Sequence, residues 1–239
     1  MCGPPRRYAV TRRYAARQNE RVILPEPDAV AAKRAFRREV LARRRAVPAA
    51  ERAAADAALL GHLLTQLTEP TEPTERPDPA GSGSGPETLP GRRGVSTVAA
   101  YVPVGAEPGG PGLPDALRAA GFIVLLPVLQ PDGALDWARY TGELTDGPRG
   151  LREPTGPRLG QAAVAGADAV VVPAVAVDRR GVRLGRGGGS YDRALARVAP
   201  GVSVTALLYD GELVDLLPAE PHDRHVGAVV TPGGVRLLP

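Results

Sequence analysis

The sequence predicts an α/β fold built on a mostly parallel sheet with helices on both faces. Three runs, Phe122–Val128, Ala169–Val177 and Val202–Leu208, are almost continuously apolar, as expected for strands buried on both faces. A segment with helical spacing precedes the first run at Leu113–Ala120, and another separates the last two runs at Tyr191–Val198. Such alternation is typical of parallel sheets. The chain has 239 residues, which is enough for one large α/β domain or two small ones.

The N-terminal part predicts a basic extension followed by two helices. Met1–Pro27 has few apolar residues and several prolines, so we expect it to be disordered. Asp28 can cap a helix that runs to about Ala46, and Pro48 ends it. A second helix runs to about Leu67, with an apolar stripe of Ala57, Leu60, Leu64 and Leu67.

A low-complexity segment, Thr68–Arg93, follows these helices. It contains TEP repeats and a GSGSG run, a composition that cannot form a packed core. We expect a surface insertion within one α/β domain that spans residues 28–239. After it, the pattern predicts a strand at Val95–Val102, a short helix at Leu113–Ala120, an irregular section at Ala134–Pro157 and a last strand at Ala228–Val230.

The basic character of the chain comes mostly from its N-terminal end. Residues 1–45 contain 13 basic and 4 acidic residues, whereas the remainder contains 17 and 22. This end lacks any nucleic-acid-binding motif, so a solvated tail and helix face is the favoured interpretation. The single cysteine excludes an intramolecular disulfide, and no apolar run is long enough to span a bilayer. We expect a cytoplasmic monomer that binds neither membranes nor nucleic acid.

The segment Arg183–Asp192, which reads RLGRGGGSYD, predicts an anion-binding loop. It connects an apolar strand to a helical segment, and Ser190 can cap that helix. Successive glycine amides can face inward around an anion, and Arg183 and Arg186 add guanidinium groups that match phosphate oxygens. The segment lacks the lysine of a P-loop and the third glycine of the dinucleotide fingerprint. A flexible turn is the alternative interpretation.

Carboxylates follow several predicted strands. Glu107, Asp192 and Asp223 are such residues, and two carboxylates beside a phosphate site can bind Mg²⁺. Each could instead be a solvated acid, and Asp192 could simply complement its helix dipole. The sequence contains no GxSxG, HExxH or CxxC motif.

The run VVVPAVAVDRRGVRLGRGGGSYDRAL resembles the 5-formyltetrahydrofolate cyclo-ligase family. The resemblance extends to KRAFR at Lys33–Arg37, to YVPVGAE, to REP at Arg152–Pro154 and to PHD, and it covers about Ala31–Val235. It implies a three-layer α/β/α sandwich related to sugar-phosphate isomerases. It also implies an ATP- and Mg²⁺-dependent enzyme that closes the 5,10-methenyl ring of folate, with phosphorylation of the formyl oxygen and attack by N10.

The resemblance also implies roles for individual residues. Catalysis would rest on Arg186 and Lys33. ATP would bind to Lys33, Arg34, Ala35, Phe36, Arg37, Arg183, Leu184, Gly185, Arg186, Gly187, Gly188, Gly189, Ser190 and Tyr191. The folate would contact Val104, Glu107, Gly109, Arg186, Gly187, Gly188, Gly189 and Ser190, and Mg²⁺ would bind to Asp192 and Asp223.

Two departures and two alternatives accompany this assignment. Ser190 replaces a tyrosine common in the family, and Gly109 replaces an acid or similar side chain at a position of the implied folate contact. A sugar-phosphate isomerase or transferase on the same architecture would also use an anion loop. An RNA-associated adaptor would use the basic end, with the glycines purely structural.

Overall fold

The computed structural model describes residues 26–69, 95–219 and 223–239. Its helices are α1 (Glu26–Ala46), α2 (Ala49–Thr68), α3 (Leu113–Ala119) and α4 (Ser190–Leu195), with 3-10 turns at Pro148–Gly150 and Gln161–Gly166. Its strands are β1 (Thr97–Ala99), β2 (Ile123–Leu129), β3 (Leu135–Arg139), β4 (Leu144–Asp146), β5 (Arg152–Pro154), β6 (Ala169–Pro173), β7 (Ala176–Asp178), β8 (Arg183–Leu184), β9 (Ser203–Leu207), β10 (Leu213–Val214), β11 (Ala228–Thr231) and β12 (Gly234–Leu237).

The main sheet has seven strands in the order β12-β11-β9-β6-β1-β2-β3. The five central strands, from β11 to β2, are parallel, and the strand at each edge is antiparallel to its neighbour. Numbered along the chain, the parallel strands lie in the order 2-1-3-4-5. The connections therefore change direction between β1 and β6, and the crevice beyond the carboxyl ends of those two strands is where such sheets bind ligands.

Two apolar cores cover the two faces of this sheet. Side chains alternate along each strand, so that Val98 faces one core and Ala99 the other. On the first face the strands pack against Leu59, Leu63 and Leu67 of α2 and Leu113 and Leu117 of α3. On the second face they pack against Val164 of the 3-10 turn and Ala194 and Leu195 of α4. The predicted mixed α/β fold with a mostly parallel sheet is confirmed.

A smaller sheet, in the order β10-β7-β8, carries α1. Val40 of α1 is fully buried against Val175, Val182 and Leu184 of this layer, together with Leu217. This packing fixes α1 beside the segment that follows β8, which is the predicted anion-binding loop.

Several boundaries differ from the sequence predictions. Helix α1 begins at Glu26. Pro27 fits into its first turn, because a backbone N–H there would have no acceptor within the helix and proline has no N–H. The run Ala169–Val177 forms two strands in different sheets, because the chain leaves the main sheet after Pro173. The section predicted to be irregular contains β3, β4 and β5.

Two helix details also need correction. The buried stripe of α2 is Leu59, Leu63 and Leu67, so Leu60 and Leu64 only flank it. Gly189, in the left-handed conformation, occupies the N-cap of α4, and Ser190 is its first helical residue without a capping hydrogen bond. Glycine adopts this conformation without the Cβ penalty that serine would incur.

The predicted disordered extension and low-complexity insertion fall mainly outside the described residues. Residues on either side of the insertion, Leu63 and Val98, nevertheless belong to the same core, which supports the prediction of one domain. None of the helices described combines the length and hydrophobicity needed to span a bilayer.

Candidate active site

A cavity of about 550 Å³ opens at the carboxyl ends of β1 and β6. Tyr101, which follows β1, and Pro173, at the end of β6, form part of its floor. Residues of α1 and of the segment after β8 complete its walls. The cavity therefore occupies the crevice at which the strand order reverses.

The turn that leads into the glycine-rich segment is organised by Asp178. Its fully buried carboxylate accepts hydrogen bonds from the backbone N–H groups of Arg180, Val182 and Leu217, at 2.9, 3.0 and 3.0 Å. The Arg180 guanidinium also donates to it, at 2.7 Å. Burial would raise the pKa of Asp178, but these hydrogen bonds outweigh it and lower the pKa below its usual value.

The glycine loop, Gly185–Gly189, follows β8 and lines the cavity. Gly187 and Gly189 have φ angles of +101° and +66°, which side chains rarely adopt. Arg37 of α1 donates from Nε to the Gly185 carbonyl at 2.8 Å, and its guanidinium lies 3.7 Å from where a Cβ on Gly187 would stand. Helix α1 and the glycine loop are thus joined directly.

Below the loop, Arg183 and Asp192 form an ion pair. Arg183 Nη2 lies 2.7 Å from Asp192 Oδ1, and its side chain is only 3% exposed. The guanidinium also donates to the Pro173 carbonyl at 3.3 Å and lies 5.8 Å from the centre of the Tyr191 ring. Its Nε is buried and has no hydrogen-bond partner among the described residues. Arg183 therefore fixes Asp192 at the cavity wall.

A second ion pair links the glycine loop to the β1 exit. Arg186 Nε lies 2.9 Å from Glu107 Oε1, and Glu107 Oε2 accepts the backbone N–H of Val104 at 2.9 Å. Glu107 is nearly buried, whereas the Arg186 side chain is 53% exposed. Arg186 can consequently reach a ligand while Glu107 holds its position.

The third pair lies on the α1 side of the cavity. Lys33 Nζ is 3.5 Å from Asp223 Oδ2, with side chains 9% and 12% exposed. Asp192 and Asp223 thus both line the cavity, each beside a cation. No cluster of three His, Cys, Asp or Glu able to hold a metal occurs among the described residues. Mg²⁺ commonly binds through one or two carboxylates, while phosphate oxygens and water supply its other ligands. Two carboxylates that line one cavity fit this kind of binding.

A buried polar cluster, here called the rear network, lies behind the cavity lining and consists of Arg44, Glu212, Tyr209 and Asp56. Arg44 of α1 makes a two-pronged ion pair with Glu212, with both distances 2.7 Å, and donates to the Ala174 carbonyl at 2.7 Å. Burial would lower the pKa of Arg44, but its bonds to Glu212 raise it. Burial and a hydrogen bond to Asp56 raise the pKa of Tyr209. The rear network thus joins α1 and α2 to the exits of β6 and β9.

Most of the predicted site residues line this one cavity. They are Lys33, Arg37, Val104, Glu107, Arg183, Leu184, Gly185, Arg186, Gly187, Gly188, Gly189, Ser190, Tyr191, Asp192 and Asp223.

Four predicted residues do not line the cavity. Arg34 and Ala35 are exposed on α1, and Phe36 packs against the apolar cluster beneath that helix. Gly109 donates its N–H to Asp56 at 2.9 Å, and a Cβ there would lie 3.1 Å from the side chain of Leu207. Its φ of +94° gives a backbone reason for the glycine.

Several lining residues were not predictable from the sequence. Tyr101 stands in the YVPVGAE run, but nothing in the run indicated that its ring would face the cavity. The apolar wall of Pro127, Leu129 and Leu135 comes from β2 and β3, whose patterns predict only burial. Arg149 lines the rim with a φ of +59°, which is unusual outside glycine. Six basic and three acidic side chains face the cavity, which favours anionic ligands.

Comparison of the sequence with known proteins identifies relatives over the same region. The pattern that defines the 5-formyltetrahydrofolate cyclo-ligase family matches residues 87–232. A 5-formyltetrahydrofolate cyclo-ligase of Mycolicibacterium smegmatis is 49% identical over 142 residues, which cover 57% of this chain and 73% of that protein. The Escherichia coli enzyme of the same name is 35% identical over 148 residues, covering 58% and 79%.

Solved structures resemble the fold over most of the chain. A 5,10-methenyltetrahydrofolate synthetase from Aquifex aeolicus superposes with a TM-score of 0.62 and 27% identity, covering 86% of this chain and 92% of its own. The synthetase from Mycoplasma pneumoniae gives a TM-score of 0.60 at 19% identity, covering 84% and 98%, and so shows the fold.

Proposed function

The chain belongs to the 5-formyltetrahydrofolate cyclo-ligase family, and we propose that the cavity at the carboxyl ends of β1 and β6 binds ATP and the folate side by side. The enzyme converts 5-formyltetrahydrofolate to 5,10-methenyltetrahydrofolate, and its ATP dependence follows from the family. The observation that carries the two-ligand proposal is the mixed lining of the cavity. Lysine and arginine side chains come from α1 and the glycine loop, and aliphatic side chains come from β2 and β3.

The reaction balances as two displacements. The γ-phosphoryl group passes from ATP to the formyl oxygen, and ADP is released. The N10 nitrogen of the folate then attacks the activated formyl carbon and loses its proton. The C–O bond breaks, phosphate leaves with the oxygen, and the 5,10-methenyl ring remains. Because this sequence needs positioning and charge neutralisation, a serine or cysteine nucleophile is unnecessary.

The ATP phosphates are proposed to bind where α1 meets the glycine loop. Lys33 and Arg37 reach this place from the helix, and the positive φ angles of Gly187 and Gly189 support a loop that approaches phosphate closely. Arg186 and Lys33 are the proposed catalytic residues, and the exposed guanidinium of Arg186 can neutralise the phosphoryl group in transit.

The folate is proposed to bind between Glu107 and the apolar wall of β2 and β3. Val104 and Glu107 lie at the end of the cavity to which Arg186 is tied, so Arg186 can reach both ligands. Gly109 supports this arrangement indirectly, since its N–H binds Asp56 and it packs against Leu207. For Gly109 we therefore propose a structural role instead of a folate contact.

Mg²⁺ is proposed to bind to Asp192 and Asp223, together with phosphate oxygens. When bound, the ion would supply positive charge that offsets the charge of the triphosphate. Arg183 holds Asp192 in place from below. The relation to sugar-phosphate isomerases, the monomeric state and the cytoplasmic location remain predictions.

An absorbance assay for methenyl-folate tests this proposal. We expect absorbance to grow only when 5-formyltetrahydrofolate, ATP and Mg²⁺ are all present. Asp192→Asn should remove most activity while the protein still folds, and excess Mg²⁺ should restore part of it. Product formation without ATP would contradict the proposal, as would normal turnover of Asp192→Asn at limiting Mg²⁺. Asp215→Asn, which changes an exposed carboxylate paired with Arg179 outside the cavity lining, is the matched control.

A further inference from the structure

Arg193 contacts the glycine loop from outside the cavity. Its Nη2 donates to the carbonyl of Gly133, in the β2–β3 turn, at 2.6 Å. Its Nη1 makes a longer contact of 3.5 Å with the carbonyl of Gly188. Arg193 is exposed and does not line the cavity, whereas Gly188 and Gly189 do. One guanidinium thus bridges a distant turn and the glycine loop.

The contact with Arg193 shows on which side of the Gly188–Gly189 peptide group the carbonyl lies. In a trans peptide the carbonyl and the following N–H point in opposite directions. Because the Gly188 carbonyl is directed to Arg193, which is not part of the lining, the N–H of Gly189 is directed the opposite way. Arg37 holds the Gly185 carbonyl in a similar contact at 2.8 Å. Arg37 and Arg193 therefore contact the loop at two of its carbonyl oxygens, those of Gly185 and Gly188.

Both glycines beside Arg193 leave room for its guanidinium. A Cβ on Gly133 would lie 2.9 Å from Nη2, and one on Gly189 would lie 3.1 Å from Nη1. Their φ angles, +79° and +66°, are also in the left-handed region that favours glycine. An alanine at Gly133 would thus displace Arg193, whereas Ser190 Oγ, which belongs to a lining residue, would lie 4.0 Å from its Cβ, at ordinary contact distance.

We propose that Arg193 is a positioning residue, which with Gly133 orients the Gly188–Gly189 peptide so that its N–H faces the ATP phosphates. This inference rests on the proposed ATP site. Arg193 touches neither substrate. It acts through the loop, and the β2–β3 turn serves as its anchor.

Steady-state kinetics of Arg193→Met test the proposal. We expect the KM for ATP to rise about tenfold, because a hydrogen-bond donor of the loop loses its orientation. The KM for 5-formyltetrahydrofolate and the melting temperature should stay near their wild-type values. Arg193→Lys should recover part of the effect. Arg197→Met is the matched control, because Arg197 is an exposed arginine that bonds Gln161 and the Arg193 carbonyl but not the loop.

A second variant alters the contact between Arg193 and Gly133 at the glycine. Gly133→Ala should raise the KM for ATP in the same way, and adding Arg193→Met should raise it little further, since both changes break one bridge. Additive effects would overturn the proposal, as would an unchanged KM for ATP in either single variant. Wild-type activity in the same assay separates these outcomes from a failure of the proposed function.

Discussion

The glycine loop lines the cavity and the rear network lies behind its lining, and the two are stabilised in different ways. The loop is held by guanidinium contacts to its carbonyls, and its ion pair between Arg186 and Glu107 is open to solvent on the arginine side. In the rear network the ion pair of Arg44 and Glu212 has side chains only 3% and 6% exposed. Exposed pairs contribute little to stability, whereas breaking a buried pair is costly.

The difference separates two tasks. The loop has to bind and release charged ligands, so its cations remain accessible. The rear network has to keep α1 at a fixed distance from the strand ends, so its charges pair with each other and with backbone carbonyls. We expect substitutions in the rear network to reduce stability first, and substitutions in the loop to reduce activity first.

The largest effect is expected for Glu212→Ala. It leaves the Arg44 guanidinium buried without its carboxylate, so the free energy of unfolding should fall by about 3–5 kcal/mol. Urea denaturation measures this loss. Asp215→Ala removes an exposed carboxylate paired with Arg179 and is the control, with an expected loss below about 1 kcal/mol. Equal losses in the two variants would contradict the stabilising role of the buried pair.

Arg186→Met should produce the opposite pattern. Loss of a group that neutralises charge in the transition state typically lowers kcat about 100- to 1,000-fold. The melting temperature should barely change, since the pair with Glu107 is half exposed. Arg179→Met, which alters an exposed arginine outside the cavity lining, should leave kcat unchanged. A fall in melting temperature that accounts for the lost activity would mean that Arg186 is structural.

Asp178→Asn tests the turn that leads into the loop. The amide cannot accept all the bonds that the carboxylate receives, so stability at neutral pH should fall by about 2–3 kcal/mol. The folded-state pKa is lowered, so the carboxylate stabilises the fold above its unfolded pKa. That contribution is lost as the pH falls through the folded pKa. Denaturation at several acidic pH values should show the free energies of unfolding of the variant and the wild type converging. A difference that stays constant with pH would show that the lost stability does not come from the charged Asp178 carboxylate.

The fold was predictable because strands buried on both faces are almost continuously apolar. Pattern alone could not show that Pro173 separates two strands of different sheets, because the length of a run does not reveal which neighbour it pairs with. Arg43, Arg44 and Arg45 form one charged run in the sequence, yet only Arg44 is buried. Its partner Glu212 is 168 positions away, and this pairing depends on the tertiary fold.

The glycine loop was predictable at the level of residue type. Glycines beside arginines indicate an anion site because backbone amides and guanidinium groups are the donors that phosphate needs. The ion pairs that hold Arg183, Arg186 and Lys33 were not predictable, since each partner comes from another part of the fold or from the far end of the motif. For the same reason, the spacing of the motif could not predict the contact between Arg193 and Gly133.

Lys33→Arg is expected to give the smallest of these effects, and it tests whether the α1 end of the cavity behaves like the loop or like the rear network. Lys33 is the only lysine among 30 basic residues, and it is nearly buried beside Asp223. A guanidinium is wider than an ammonium and requires a planar partner, so the charge would be kept but moved. If Lys33 binds phosphate, losing one charge-assisted bond should raise the KM for ATP about ten- to a hundredfold, corresponding to about 1.5–3 kcal/mol.

Arg38→Lys, on the exposed face of the same helix, is the control. ATP titrations and thermal melts of both variants would then assign the helix. A raised KM with an unchanged melting temperature would group Lys33 with the loop, and a lowered melting temperature with a normal KM would group it with the rear network.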